Sequence, residues 1–233
     1  MLGYLFLSVA WLALLGAPAV AHKIYIANDN HTDYGWNATT TAYDAAMLGE
    51  LDYYLGRIAA TAGNAPAEQS RFNCDNWYYL YLYEKNRSPA QYQTLISRIL
   101  DGHITVPLNP FVELYGGMPT EAAIRAGYYP GKVERLYGTQ FLLAQEMETA
   151  TIPWGLVELW AGSKARYSWK GICECFHEAP YQDRSDEVFR WQGPDNSELL
   201  MKWYQVPSPS GLGQSYGGYA EARANRARWP SRM

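Results

Sequence analysis

The chain has 233 residues, 48% of them hydrophobic and 15% aromatic, which is enough apolar material for one substantial core. Its net charge of −4, with both signs scattered, leaves no basic footprint for nucleic acid. Three cysteines are too few for a disulfide scaffold, and the 20 Tyr and 9 Trp combine flat apolar faces with polar tips, as packing and sugar-binding clefts both require.

Residues 1–21 read "MLGYLFLSVAWLALLGAPAVA", an uncharged apolar run broken by Gly16 and Pro18 and closed by Ala19-Val20-Ala21. This pattern predicts a signal peptide and an exported mature chain from His22, without a membrane span in the mature part. "KIYIA" (23–27) predicts a first strand. From Thr39 onward Tyr43, Met47, Leu51, Tyr54, Leu55 and Ile58 form one helical stripe, with Gly63 as its stop. "SRFNC" (70–74) predicts a second strand and "DNWYYLYLYEKN" a Tyr-rich helix. "SPAQYQTLISRILDG" is a helix by its ends alone. Ser88 caps it, Pro89 occupies its first turn, Gln91 completes a capping box and Gly102 terminates it.

"HITVPL" (103–108) predicts a third strand, followed by one helix from about Glu121 to Tyr137, with Thr120 as cap and Gly138 beyond its end. "QFLLAQ" (140–145) is the fourth strand, 154–160 a short helix and "ARYSW" (165–169) the fifth strand. Repeated strand–helix units argue for a parallel sheet covered by helices. "EVFRWQGPDNSELLMKWY" instead reads as two strands around a Gly-Pro-Asp-Asn turn. The fold class expected is therefore α/β, an incomplete (β/α) barrel of the seven- or eight-stranded type with a β-hairpin insertion near the C-terminus. The partial domain is expected over 22–205 and an irregular, Arg-rich tail over 206–233.

In parallel barrels, chemistry gathers at the carboxyl ends of the strands. The residues there are Asn28, Asp29, His31 and Asp33 after the first strand, and Asn73 and Asp75 after the second. Asn109 and Glu113 follow the third strand, and Glu146 and Glu148 the fourth. His31 and Asp33, two apart on an extended segment, project to one side and can grip one cation, with Zn²⁺ favoured by the imidazole. The same spacing also suits a hydrogen-bonded turn. Cys173-Glu-Cys175 with His177 is a metal-ligand pattern of low specificity.

"HTDYGW" resembles the first motif of the glycoside hydrolase family 38 α-mannosidases, His-x-Asp-x-Gly-Trp after the first barrel strand. "LISRILDGHITVPLNPFVELYGGMPTEAAIR", with Gly116, Gly117 and Glu121, is similar to the family's next segment. "FRWQGPDNSELL" is similar to its Trp-x-x-Pro-Asp-Gly-Ser hairpin. Together they span roughly residues 23–205.

The resemblance implies a zinc-dependent, retaining α-mannosidase-like hydrolase acting on a glycan, with His31 and Asp33 as zinc ligands. Trp36, Asp75, Glu113 and Glu121 are its candidate substrate-binding residues. The family's nucleophile motif is replaced by "LLAQEMETATIPWG". Ungapped alignment places Ala144 at the nucleophile, so Glu148, then Glu146, are the catalytic candidates after a local shift. The family's later zinc histidine and acid/base carboxylate have no counterpart here. Two other readings remain: a non-catalytic carbohydrate-binding relic, and a zinc-dependent polysaccharide deacetylase, against which the lack of a His-x-x-x-His pair argues. Asn30-His31-Thr32 and Asn37-Ala38-Thr39 are glycosylation acceptor patterns inside the proposed site, so export in a bacterial host, to periplasm or medium, is expected.

Overall fold

The computed structural model describes residues 28, 30, 32–35, 38–111, 113, 115–147, 152–171 and 188–203, with the backbone alone at 146, 147, 171 and 203. The expected signal peptide, first strand and tail lie outside these residues. So do His31, Trp36, Glu148, Cys173, Cys175 and His177.

Helix α1 (Thr40–Thr61) starts where the Thr39 hydroxyl accepts the Ala42 N–H, and buries Tyr43, Met47, Leu51 and Ile58 on the expected stripe. Strand β1 (Phe72–Asn73) meets this stripe: Phe72 is fully buried and its ring stacks on Tyr54 at 4.2 Å. Helix α2 (Tyr78–Asn86) follows, then α3 (Pro89–Leu100), whose capping box forms as expected, with Ser88 Oγ accepting from Gln91 N and Gln91 Oε1 from Ser88 N. Strand β2 (Ile104–Thr105) pairs parallel with β1, Phe72 opposite Ile104.

The single helix expected over 121–137 is two, α4 (Thr120–Ala126) and α5 (Tyr128–Tyr137). Pro130 is the cause. Inside a continuous helix its ring would meet the carbonyl of Ala126 four residues back, and it has no N–H to offer. The chain restarts at Tyr128, which places Pro130 in a first turn, and the released Ala126 carbonyl accepts Trp77 Nε1 at 3.0 Å. Pro119, not Thr120, occupies the N-cap position, while Gly138 ends α5 at φ +71° as a left-handed cap.

Strand β3 (Leu143–Met147) begins three residues later than expected, because pairing with β4 (Tyr167–Gly171) starts at Leu142, whose carbonyl accepts Arg166 N and Tyr167 N. Glu146 therefore lies within the strand and not beyond its end. Helix α6 (Leu156–Gly162) and the hairpin β5 (Val188–Gln192) and β6 (Glu198–Trp203) complete the described elements. The hairpin turn is closed by Gly193 N to Ser197 O, with Asn196 at φ +69°. A Cβ at Gly193 would stand 3.1 Å from Val157 Cβ and 3.2 Å from Glu158 Cγ, so a side chain there would require these neighbours to give way.

The sheets are β1-β2 and β3-β4-β6-β5. Strand β6 runs parallel to β4 and antiparallel to β5, so half of the expected insertion continues the parallel sheet and β5 forms the edge. Leu108 N donates to Leu143 O at 2.8 Å and links the continuation of β2 to β3. On the far edge of β1, Asn73 N and Nδ2 both donate to Asn28 O. Parallel pairing is therefore present between β1 and β2, β3 and β4, and β4 and β6. The fold is mixed α/β, but the described strands form no closed sheet, so the expected barrel is not shown.

Candidate functional site

Two strand ends, those after β1 and β2, are bound to β3 by buried polar side chains. Asp75, two residues past β1, is fully buried. Its Oδ1 accepts Gln145 Nε2 at 2.7 Å and its Oδ2 accepts Thr32 N at 3.1 Å, while its backbone carbonyl takes a second bond from Gln145 Nε2 at 2.8 Å. Gln145 is on β3, and its own N–H donates to Asn109 Oδ1 at 3.0 Å. Asn109, in the continuation of β2, donates through Nδ2 to Phe111 O and accepts Trp77 N on its carbonyl. A buried carboxylate is tolerable only with such donors, so Gln145 and Thr32 hold Asp75 in place.

Beside this group lies a second network. Asn30 Nδ2 donates to Glu50 Oε2 and to the Tyr79 hydroxyl, each at 2.6 Å, and the Tyr79 hydroxyl donates to Glu50 Oε2 at 2.9 Å. Burial, then the charge of Glu50, pushes the Tyr79 hydroxyl well up, and burial, then Glu50 and Asp75, raises the Cys74 thiol well above 9. Cys74 is therefore an inert thiol at neutral pH. Glu113, in the loop after β2, is half-buried. Its Oε2 is buried without a hydrogen-bond partner. Burial pushes the carboxyl from 4.5 up to about 7, against the Tyr115 side-chain hydrogen bond, which lowers it. At neutral pH a large share of Glu113 is the neutral acid.

Of the expected site residues, the structure brings Asp75 and Asn109 into one group and holds the segment around Asp33 to it through Thr32. Glu121 takes no part: it stands exposed in the first turn of α4, paired with Arg125 at 2.7 Å. Glu146 is the register partner of Lys170 across β3 and β4, and Lys170 is fully buried. Ala144 is buried in the core and carries no polar group toward any chemistry. Sequence reasoning missed Gln145, read as the last residue of the fourth strand, and Lys170, which fell just beyond the expected fifth strand; the signal in each is a polar residue at a buried strand position. Among the described residues no three His, Cys, Asp or Glu side chains converge on a metal position. Nor is any helix among them long and apolar enough to cross a membrane.

The described residues thus form a mixed α/β fold in which a buried polar group joins the segments after β1 and β2 to β3. No protein-family model and no curated protein matches the sequence. Among solved structures the chain is similar to an α-mannosidase from Enterococcus faecalis V583, with a TM-score of 0.59 and 14% identity over 76% of this chain and 19% of that one. It is also similar to a glycosyl hydrolase family 38 protein from Enterococcus faecalis, with a TM-score of 0.54 and 14% identity over 76% of this chain and 18% of the other. The likeness is one of fold, and the chain spans about a fifth of the length of these proteins.

Proposed function

We propose that this chain carries the sugar site of an exported, zinc-dependent glycoside hydrolase of the family 38 α-mannosidase type, cleaving α-mannosyl linkages of a glycan with retention. The observation that supports it best is the buried group of Asp75, Asn109 and Gln145, which joins the ends of β1 and β2 to β3 in a fold similar to that of an α-mannosidase. His31 and Asp33 are the residues that would hold Zn²⁺. The donor set suits that ion, and the Thr32 N–H, lying between the two in sequence, is anchored on the Asp75 carboxylate. When bound, the ion would orient sugar hydroxyls and draw electron density from them. Trp36 is the candidate floor for the sugar ring.

Retaining hydrolysis needs one carboxylate to attack and one carboxylic acid to protonate the leaving oxygen, roughly 5 Å apart. Glu113 is suited to the second role, because its half-buried carboxyl keeps a proton to about pH 7. Glu148, then Glu146, remain the candidates for the first. The test is turnover of an aryl α-mannoside by the purified protein, with zinc measured by elemental analysis. One zinc per chain, lost in His31→Ala together with turnover, supports the proposal, and a metal-free wild type without turnover contradicts it. A second reading, sugar binding without cleavage, is favoured by Ala144 at the aligned nucleophile position. It predicts mannoside binding that Glu148→Gln leaves unchanged.

A further inference from the structure

Helix α2 carries tyrosines at 78, 79, 81 and 83. Two of them have structural work. Tyr79 and Tyr83 are buried, and their hydroxyls bond Glu50 and Asp52 of α1. Tyr78 and Tyr81 lie on another stripe, three residues apart, with Lys85 further along it. Tyr78 is half-buried against the core and Tyr81 is 37% exposed. For helix propensity alone Leu or Ala would serve at the exposed Tyr81 as well or better.

These two rings are part of a longer row built from four elements. Tyr34 lies 4.8 Å from Phe111 and 5.3 Å from Tyr78, and Phe111 lies 4.8 Å from Tyr78, all by centroid. Tyr78 stacks on Tyr81 at 5.9 Å. Tyr81 meets Tyr129 at 5.5 Å, and Tyr129 stacks on Trp77 at 5.0 Å.

The row begins at the strand-end group. Tyr34 follows Asp33, the carbonyl of Phe111 takes the Asn109 amide, and Tyr78 is three residues past Asp75. Its phenols are tied down: Tyr34 donates to Asp44 at 3.0 Å and Tyr129 to Glu84 at 2.8 Å. The orientations of Tyr34 and Tyr129, toward the two ends of the row, are therefore set before any ligand arrives.

Rings with fixed planes and polar edges match a pyranose, which has an apolar C–H face and a rim of hydroxyls. They match a lipid or an apolar helix less well, since the row contains no long aliphatic side chain and the ammonium groups of Lys85 and Lys132 lie over the Tyr81 and Tyr129 rings, 5.5 and 5.8 Å from their centroids. We propose that Tyr34, Phe111, Tyr78 and Tyr81 form an outer sugar-binding surface that continues the strand-end site along α2 and takes the successive units of a glycan by stacking. This rests on the strand-end group being a sugar site.

The test compares calorimetric affinities for methyl α-mannoside and for a linear α-linked mannose tetrasaccharide, in wild type, Tyr81→Ala and Tyr81→Trp. The wild type is expected to bind the tetrasaccharide more tightly, with Tyr81→Ala lowering that preference roughly three- to tenfold and Tyr81→Trp retaining it. If the wild type binds both sugars equally, or Tyr81→Ala keeps the full preference, the outer surface is overturned while the inner site stands. If neither sugar binds the wild type, the sugar site itself is wrong and the outer surface falls with it.

Discussion

Replacing Glu113 by Gln tests the electrostatics of the site without changing its shape. The carboxyl is pushed from 4.5 to about 7 because burial disfavours its charged form and the Tyr115 side-chain hydrogen bond offsets only part of that. Between these two pH values the folded protein keeps a proton that the unfolded chain has released. The associated stability is therefore fully present below about pH 4.5, declines as pH rises, and is lost above about pH 7. At about 1.4 kcal/mol per pH unit the loss is at most about 3 kcal/mol, and solvent screening of a half-buried group reduces it to about 1–2 kcal/mol. Glutamine carries no titrating proton, so Glu113→Gln should gain about 1–2 kcal/mol relative to wild type between pH 4.5 and pH 8. Urea unfolding of both proteins at pH 5 and pH 8 reads this directly. Equal pH dependence in the two would refute the buried-acid assignment. If Glu113 is the proton donor, mannoside turnover should also fall above about pH 7 in wild type and be lost in the variant.

Gln145→Leu keeps the volume but strips the Asp75 carboxylate and carbonyl of their shared donor, so a loss of about 2–4 kcal/mol is expected in urea unfolding. A change under 0.5 kcal/mol would mean that Asp75 does not depend on that amide. A glycan on Asn30 would break the bonds of its amide to Glu50 and Tyr79, so folded protein from a glycosylating host should carry an unmodified Asn30; peptide mass spectrometry showing an occupied Asn30 in folded material would contradict this. Ser88→Ala removes one half of the capping box of α3 and should lower stability by about 1 kcal/mol, measured as a shift in the unfolding midpoint.

What the sequence made legible were features with local causes. The ends of α3 are written in Ser88, Pro89, Gln91 and Gly102, and the hairpin in the turn residues after Gln192, so both form where expected. Apolar spacing ran through Gly127 without a break, and only the clash between Pro130 and the Ala126 carbonyl, a relation across four residues, divides α4 from α5. The start of β3 was misplaced because "FLLA" is apolar throughout, and the pairing that begins at Leu142 depends on β4, which is distant in sequence.

The candidate site follows the same division. Asp75 and Asn109 could be placed at strand ends by counting from their strands. Gln145 could not, since its meaning comes from meeting Asp75, 70 residues away in sequence. Glu121 looked equivalent to Glu113 in sequence, yet one is an exposed partner of Arg125 and the other a half-buried acid, a difference set by packing alone.

The most direct test of the central claim is calorimetric titration of the zinc-loaded wild-type protein with methyl α-mannoside. Saturable binding of one sugar per chain that disappears on chelation and in Asp33→Ala is the predicted result. A protein that holds one zinc per chain and gives no heat of sugar binding at millimolar mannoside would contradict it.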